Sequence, residues 1–331
     1  PCPRRAALGR LLLRLPPHAI AAGGPAARAG VVAGHAGPGG GAHDAGAVRH
    51  LRHVRGGGRG GARARGLARG AGQEGVGRIA KLGNGITTDT LGDRVAEGDR
   101  VVFQYFYPCM QCPTCLGGHT YACPVRQADR ATSSDTWPHF KGTFADYYYL
   151  QPKHAMFKVP DSLSDEKVAG INCALSQVIS GLERAKLSFG ETVTIQGAGG
   201  LGVYAAGVAK ARGASKVIAI DGVDERLDLI KDFGADEVVD IREHETPDER
   251  VNAVRELTDG LGTDVTLELV GHPDVVREGL DMTAPGGRYL EIGNINAGWD
   301  TSFDPSVIVF KSISVIGIAH YTAQDLRNAL D

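Results

Sequence analysis

The second half of the chain, from residue 161 onward, alternates short apolar runs with amphipathic segments of helical period. Residues 201–212 and 224–234 are two examples of the helical type. Because strands that alternate with helices build parallel sheets, this half predicts a doubly wound, parallel α/β sheet. The runs predicted to be its strands are residues 193–196, 216–220, 237–240, 265–270, 288–292 and 313–316.

The segment before it, residues 73–160, has a different pattern. Its apolar or alternating runs are short, and Gly, Asp and Pro turn residues bound each of them. This pattern is typical of a β-rich domain. The stretch 164–187, with acids early and basic residues late, then predicts one long helix that suits the helix dipole.

These patterns set the predicted domain boundaries. We assign residues 73–160 to the β-rich domain and residues 161–320 to the parallel-sheet domain. Residues 321–331 read as a helix without a C-terminal signal, and we expect them to begin a truncated C-terminal part. No run approaches the roughly 18 apolar residues of a membrane helix, so no membrane span is predicted.

Composition changes abruptly at residue 73. Residues 1–72 contain 12 Arg, 18 Gly and a single acid, Asp44, and they lack Phe, Tyr and Trp as well as Ser, Thr and Lys. They carry a net charge of +11, so the remainder of a chain whose net charge is −2 carries −13. Without aromatic anchors, and with glycines that make ordering costly, this segment is expected to be disordered.

Four origins of the basic segment compete. A mitochondrial transit peptide should contain Ser, and the apolar run 11–15 is too short, and broken by Arg14, for a secretory signal. A basic arm that follows nucleic-acid phosphates is a further alternative. We favour a G+C-rich gene translated in a shifted frame, because that yields Arg, Gly, Ala, Pro and His codons. No nucleic-acid partner is then expected.

A glycine motif lies between the first predicted strand of the parallel sheet and the helix after it. Gly197, Gly199 and Gly202 have G-x-G-x-x-G spacing, and Gly200 and Leu201 fill the gap. The first glycine permits a tight turn, the second lets the backbone approach a pyrophosphate, and the third allows close helix–strand packing. Phosphates would lie at the helix N-terminus, where amide groups favour anions. The motif predicts a dinucleotide site; the alternative is a glycine turn without ligand.

An acid follows the glycine motif at the distance that a dinucleotide site requires. Asp221 ends the second predicted strand, 19 residues after Gly202. A carboxylate there accepts hydrogen bonds from ribose hydroxyls and repels a 2′-phosphate, so NAD is favoured over NADP. Arg226 is close in sequence and weakens that preference.

Four cysteines, Cys109, Cys112, Cys115 and Cys123, are spaced C-x2-C-x2-C-x7-C within 15 residues. They can fill all four positions of a tetrahedral Zn²⁺, which gives a structural site with no place for substrate. An iron–sulfur cluster is the main rival, but the ferredoxin run has a last gap of about three residues rather than seven. With no credible signal peptide a reducing cytoplasm is expected, where disulfides are rare. His119 within the loop is expected to be solvated.

In combination, the four-cysteine loop, the "GAGGLG" turn and the "VIAID" strand resemble the zinc-containing medium-chain alcohol dehydrogenases over residues 73–331. This resemblance implies a GroES-like catalytic domain, an NAD-binding Rossmann domain and a homodimer or homotetramer. It implies oxidation of an alcohol to an aldehyde or ketone by hydride transfer to NAD⁺, with a second zinc acting as Lewis acid. Val270 and Gly293 would line the cofactor.

The resemblance also implies where the catalytic zinc would bind, and there the sequence departs from the family. Cys173, in "INCALSQVISG", matches the family's late zinc ligand, and Glu74 matches the acid that follows its histidine. Gln73 stands in the histidine position, and no cysteine lies between Cys2 and Cys109 to supply the early ligand. Because a neutral amide oxygen is a poor zinc ligand, we expect an incomplete catalytic site.

A shifted reading frame accounts for this departure. Reading residues 48–54 from the second base of each codon permits Cys-Gly-Thr as the first three residues, the start of the family's early zinc motif. The same shift permits Leu-Gly immediately before Gln73.

Three functions therefore compete. The first is an NAD-dependent, zinc-containing alcohol dehydrogenase that acts on a small-molecule alcohol or carbonyl compound. The second is a zinc-independent, quinone-reductase-like oxidoreductase, which is disfavoured because that branch lacks both the four-cysteine loop and Cys173. The third is a catalytically inactive remnant that binds NAD and zinc. The sequence leaves the first and the third open.

Overall fold

The structure, a computed structural model, describes residues 72–125, 142–143, 145–152 and 154–331, and the backbone of Ala47–Arg52. These residues form two compact units. The parallel-sheet unit is Gln177–Ala319, and the antiparallel-sheet unit comprises the described part of Leu12–Ser176 together with His320–Asp331.

An antiparallel sheet is the framework of the second of these units. Its core lies under the sheet, where the rings of Phe103 and Tyr148 pack with centroids 4.6 Å apart, next to Ile79 and Val101. The predicted β-rich domain is confirmed. The strands are β1 (Ala47–Arg52), β2 (Val76–Lys81), β3 (Arg100–Phe103), β4 (Tyr147–Tyr149) and β5 (Met156–Lys158), in the order β4-β1-β2-β3-β5.

The sequence does not predict strand β1. It predicts disorder across residues 1–72, yet Ala47–Arg52 pairs antiparallel with both β2 and β4. The expectation of disorder is therefore wrong for these six residues. Two neighbouring strands offer backbone groups to this segment, so ladder hydrogen bonds order a sequence whose own pattern is weak. Apart from Gly72, the rest of that segment lies outside the described residues.

Helices connect and flank the two sheets. In chain order they are α1 (Pro113–Leu116), α2 (Asp165–Val168), α3 (Ser176–Arg184), α4 (Gly200–Ala211), α5 (Asp224–Asp232), α6 (Pro247–Glu256), α7 (Val275–Met282), α8 (Ser306–Phe310) and α9 (Ala323–Leu330). None of the helices in the described part of the chain is long and apolar enough to cross a membrane.

The long helix predicted over residues 164–187 is divided in the structure. Helix α2 ends at Val168, Gly170 follows, and Ile171–Leu175 then forms a π-helical turn before α3 begins. Glycine lowers helix stability locally, and a π turn shifts the backbone N–H groups out of α-helical register. The divided helix therefore presents backbone donors in its middle, and the site below uses them.

The six strands of the parallel-sheet unit form one parallel, doubly wound sheet, as predicted. Strand order reverses between β6 and β9, and at such a reversal the connecting helices diverge and leave a crevice at the carboxyl ends of the strands. The strands are β6 (Thr192–Gln196), β7 (Lys216–Asp221), β8 (Glu237–Asp240), β9 (Thr263–Glu268), β10 (Thr283–Glu291) and β11 (Ser314–Gly317), in the order β11-β10-β9-β6-β7-β8.

Fully buried hydroxyl groups cross three strands of this sheet. Thr263 donates to Thr194 at 3.0 Å, and Thr283 donates to Thr266 at 2.9 Å. The hydroxyls of Thr263 and Thr266 lie 3.2 Å apart. Because each hydroxyl has a partner, these side chains are accommodated in the sheet core without an unsatisfied polar group.

A tight approach of backbone to backbone fixes the start of β9, and it gives a test of the fold. Gly262 has a φ of +89°, and a Cβ at this position would overlap the carbonyl oxygen of Met282. Gly260 has a similar φ of +85°, but a Cβ there would meet nothing within 4 Å. Gly260→Ala should therefore cost only the left-handed backbone strain, about 1–2 kcal/mol.

Gly262→Ala adds a steric clash with backbone to the same strain. We expect it to lower the free energy of unfolding by at least about 2 kcal/mol more than Gly260→Ala does, or to prevent folding. Urea denaturation followed by circular dichroism measures both variants. Equal midpoints for the two would contradict this account of the β9 entry.

Candidate functional site

The four-cysteine loop brings its thiols together. Cys112 caps helix α1, and its Sγ accepts from the backbone N–H of Cys115 at 3.5 Å. The backbone N–H groups of Cys109 and Cys112 also point at sulfur, in Cys123 and Cys109 respectively, each at 3.3 Å. N–H donors of this kind stabilise thiolates, which are the form that binds metal.

The arrangement of these sulfurs fits one metal ion. The Sγ atoms of Cys109, Cys112, Cys115 and Cys123 lie within 4.8 Å of one another, and those of Cys109 and Cys115 are 4.0 Å apart. A tetrahedral zinc with Zn–S bonds of about 2.3 Å needs sulfurs about 3.8 Å apart. The described cysteines form no disulfide. The four thiols therefore suit a closed zinc site. His119 lies outside this cluster, and its Nδ1 forms a hydrogen bond with the hydroxyl of Tyr121 at 2.9 Å.

Cys173 and Glu74, the two residues predicted for the partial catalytic site, also lie together. The carboxylate of Glu74 accepts from the backbone N–H of Cys173 at 2.9 Å and of Ala174 at 2.7 Å. These donors belong to the π turn, and Asn172 on the same turn donates to the carbonyl of Gly75 at 2.6 Å. Burial raises the pKa of Glu74 to about 7. Contacts over a sequence distance of about 100 residues thus fix Glu74 beside Cys173.

Gln73 occupies the remaining place beside the cysteine. The thiol of Cys173 donates to Oε1 of Gln73 at 3.3 Å, and the hydroxyl of Tyr105 lies 4.0 Å from the same sulfur. A catalytic zinc needs three good protein ligands and an open position. Here the thiol of Cys173 contacts the neutral amide of Gln73, and the carboxylate of Glu74 is already hydrogen-bonded to backbone N–H groups. In the described part of the chain, Cys173 belongs to no group of three or more metal-binding side chains. These residues do not fit a catalytic zinc.

In the parallel-sheet unit, the glycine turn after β6 has the geometry predicted for a phosphate cradle. Gly197 has a φ of +95°, and a Cβ on Gly202 would overlap the carbonyl oxygen of Gly197. Above Gly199 and Gly200, by contrast, a Cβ would meet nothing within 4 Å. Helix α4 begins here with Leu201 in its first turn and without a side-chain cap, so its N-terminal N–H groups are left for an anion.

Asp221 lies at the carboxyl end of β7, next to this turn. Its carboxylate accepts from the backbone N–H of Ala198 at 2.9 Å, of Gly222 at 2.8 Å and of Val223 at 3.1 Å. Arg226 approaches it to 3.4 Å from a half-exposed position. The acid therefore ties the glycine turn to the second βα connection, in addition to any ligand that it binds.

The two remaining predicted cofactor residues follow β9 and β10. Val270 is half exposed, and Gly293 has no room for a side chain because a Cβ would lie 2.6 Å from Oε2 of Glu268. Sequence reasoning missed Glu268, although an acid inside an apolar strand is a readable signal. It also missed Tyr105, although this residue belongs to an aromatic run, residues 105–107, just before the first cysteine of the loop.

Comparison with known proteins identifies the family of the chain. Residues 48–161 match the family model of the alcohol dehydrogenase GroES-like domain, and residues 200–331 match that of the zinc-binding dehydrogenases. The chain is 34% identical to 5-exo-hydroxycamphor dehydrogenase of Pseudomonas putida over 74% of its own length and 67% of that protein. It is 30% identical to D-xylulose reductase of Scheffersomyces stipitis, over 78% and 68% of the two chains.

A solved structure gives the same result. An alcohol dehydrogenase from Thermotoga maritima superposes with a TM-score of 0.72 at 28% identity, over 78% of this chain and 72% of that one. The fold and site define a two-domain dehydrogenase of the α/β class. The chain belongs to the zinc-binding, medium-chain alcohol dehydrogenase family.

The metal loop can be tested by removing one thiol. Cys115→Ser replaces a buried ligand by a weaker, neutral one, so we expect the zinc content to fall from about one per chain to below about a tenth. Cys173→Ser is the matched control, because it removes a thiol outside the cluster. Elemental analysis by mass spectrometry measures both. Equal loss of zinc in the two variants, or none in Cys115→Ser, would contradict the assignment.

Proposed function

We propose that this chain is an NAD-dependent dehydrogenase of the alcohol-oxidising type in which the catalytic zinc site is incomplete. The glycine turn is the observation that supports the nucleotide assignment. A Cβ at Gly202 would overlap neighbouring backbone, whereas the space next to Gly199 and Gly200 is open. The relatives named above act, by their names, on a terpenoid alcohol, a ketose and alcohols. An alcohol converted to an aldehyde or ketone is therefore the proposed reaction class.

In this proposal the pyrophosphate of NAD lies over Gly199 and Gly200 at the N-terminus of helix α4, where uncapped N–H groups and the helix dipole stabilise its charge. Asp221 accepts a ribose hydroxyl and repels a 2′-phosphate, which favours NAD over NADP. Arg226, half exposed, offsets part of that repulsion. Val270 and Gly293 line the approach to the nicotinamide.

The structural zinc has a different part in this proposal. The four thiolates of Cys109, Cys112, Cys115 and Cys123 would hold it with no open position, so it would stabilise the loop and contact no substrate. Among its described residues this loop contains two short helical segments, Pro113–Leu116 and Thr120–Ala122, and no strand, so the metal would supply much of its order.

A catalytic zinc, when bound in this family, supplies a Lewis acid that lowers the pKa of the substrate alcohol. The described residues do not provide its ligands, and Gln73 already accepts from the thiol of Cys173. This contact favours a second candidate function, an NAD- and zinc-binding protein without alcohol oxidation. Hydride transfer from an alcohol that keeps its proton is slow, so the two candidates differ in measurable turnover.

Zinc content and turnover, measured on one preparation, separate these outcomes. Both candidates predict about one zinc per chain and saturable binding of NAD⁺. Reduction of NAD⁺ at 340 nm with a primary, secondary or polyol substrate supports the dehydrogenase, and its absence with all three classes supports the second candidate. Two zincs per chain with alcohol-dependent reduction would show that the catalytic site is complete, and would overturn the incomplete-site proposal. Failure to bind NAD⁺ would overturn the nucleotide assignment.

A further inference from the structure

A row of polar side chains crosses the carboxyl edge of an otherwise apolar sheet. Gln196 on β6, Glu268 on β9 and Glu291 on β10 are in register with one another. Residues in register in a parallel sheet point to the same face, so the two acids are direct neighbours. Glu268 is completely buried. A buried acid beside a second acid needs a physical reason, because burial of a charge is costly.

The carboxyl group of Glu268 joins two loops. Its Oε1 accepts from the backbone N–H groups of Val270 and Gly271, both at 2.7 Å, which lie in the loop after β9. Its Oε2 accepts from the backbone N–H of Gly293 at 3.0 Å, in the loop after β10. One side chain thus satisfies three backbone donors from two separate connections.

The loops are packed against this carboxyl group without spare volume. A Cβ at Gly293 would lie 2.6 Å from both Oε2 of Glu268 and the backbone nitrogen of Gly271. Further out, the rings of His272 and Trp299 meet with centroids 5.6 Å apart, which bridges the same two loops a second time. The relative position of the two loops is therefore set at its base by Glu268.

Glu291 completes the arrangement. Its Oε1 accepts from the backbone and side-chain nitrogens of Asn294, both at 3.2 Å, and the hydroxyl of Tyr289 donates to its Oε2 at 3.4 Å. Burial, and then the facing Glu291, raise the pKa of Glu268 to about 8. At neutral pH Glu268 therefore keeps its proton, since a buried carboxyl group beside a second acid ionises only at a cost.

The other charged groups around the pair are already engaged. From helix α7, Glu278 is bound by Arg250 of helix α6 at 2.6 Å, and it accepts from the amide of Gln196 at 3.1 Å. The pKa of Tyr289 is raised, mainly by burial, so its hydroxyl stays neutral. Among these groups, it is thus the charge of Glu268 that changes near pH 8.

We propose that the carboxyl group of Glu268, with Glu291 in register beside it, forms a clasp that holds the loop of Val270 and Gly271 against Gly293, and that this clasp positions the cofactor-facing edge of the NAD site. The inference rests on the proposed nucleotide function and adds positioning residues to it. When Glu268 loses its proton, its charge is repelled by that of Glu291, the loops separate, and NAD binds more weakly.

The test is the pH dependence of NAD⁺ affinity, measured by calorimetry between about pH 6.5 and 9.5, a range in which the nucleotide itself does not titrate. We expect the Kd of the unmodified chain to rise by about tenfold above pH 8, which corresponds to about 1.4 kcal/mol. Glu291→Gln removes the second charge, so its Kd for NAD⁺ should not rise between neutral and alkaline pH. Glu237→Gln, an exposed acid on β8, is the charge-matched control and should follow the unmodified chain.

Two substitutions of Glu268 distinguish its hydrogen bonds to the loops from the packing of its side chain. Glu268→Gln keeps an acceptor for the loop of Val270 and Gly271 but turns an N–H donor toward the N–H of Gly293, so it should weaken NAD⁺ binding less than Glu268→Met does, and without pH dependence. Glu268→Met has similar volume but no acceptor, and it should raise Kd by about tenfold or more at every pH. Equal effects of the two would overturn the clasp.

A second readout needs no nucleotide. Because the folded-state pKa of Glu268 is raised above its unfolded value of about 4.5, its contribution to stability is complete below that value and is lost as pH rises through about 8. Urea midpoints of the unmodified chain should therefore fall toward alkaline pH, and Glu291→Gln should reduce the fall.

The outcomes distinguish the two proposals. A chain that binds NAD⁺ with a flat pH profile, or a Glu291→Gln variant that keeps the full alkaline loss, overturns the clasp and leaves the NAD site standing. A chain that binds no NAD⁺ at any pH overturns the proposed function and, with it, the role of the clasp in cofactor binding.

Discussion

The parallel-sheet unit depends on one close approach, that of Gly202 at the first turn of helix α4 to the carbonyl oxygen of Gly197 at the end of β6. No other residue type permits it, because a Cβ would overlap that oxygen. The approach brings the helix N-terminus over the carboxyl end of the sheet, at the reversal of strand order between β6 and β9. Asp221 then ties the turn through the N–H of Ala198. The proposed phosphate site would therefore rest on backbone geometry rather than on any charged side chain.

In the antiparallel-sheet unit, metal binding would depend instead on the identity of individual side chains, which backbone geometry cannot replace. Glu74 is buried and held by backbone donors of the π turn beside Cys173. Gln73 places a neutral amide oxygen against the thiol of Cys173, and under the proposed function this leaves the ligands of a catalytic zinc incomplete. The four thiols of the cysteine loop come from a single short segment, so their arrangement does not depend on Gln73.

Sequence patterns predicted the features that residues close together in the chain determine. The six parallel strands, the glycine turn and the four-cysteine loop were readable because period, turn chemistry and ligand spacing are written in neighbouring residues. Strand β1 was not, because its order comes from the strands on either side. The π turn was not predicted, because its backbone N–H groups contact Glu74, which lies about 100 residues earlier. The role of Glu268 is not predicted, because three backbone donors from two loops give the acid its role, and the sequence shows neither loop's position.

The central claim is that the glycine turn is a working dinucleotide cradle whose geometry depends on Gly202. Calorimetric titration of NAD⁺ into the unmodified chain, Gly202→Ala and Gly317→Ala tests it most directly. Gly317, on the edge strand β11, meets nothing within 4 Å of an added Cβ and serves as the control. The account predicts saturation at about one NAD⁺ per chain for the unmodified protein and Gly317→Ala, and at least about a hundredfold weaker binding for Gly202→Ala. Equal affinity in all three, or no binding in any, would contradict it.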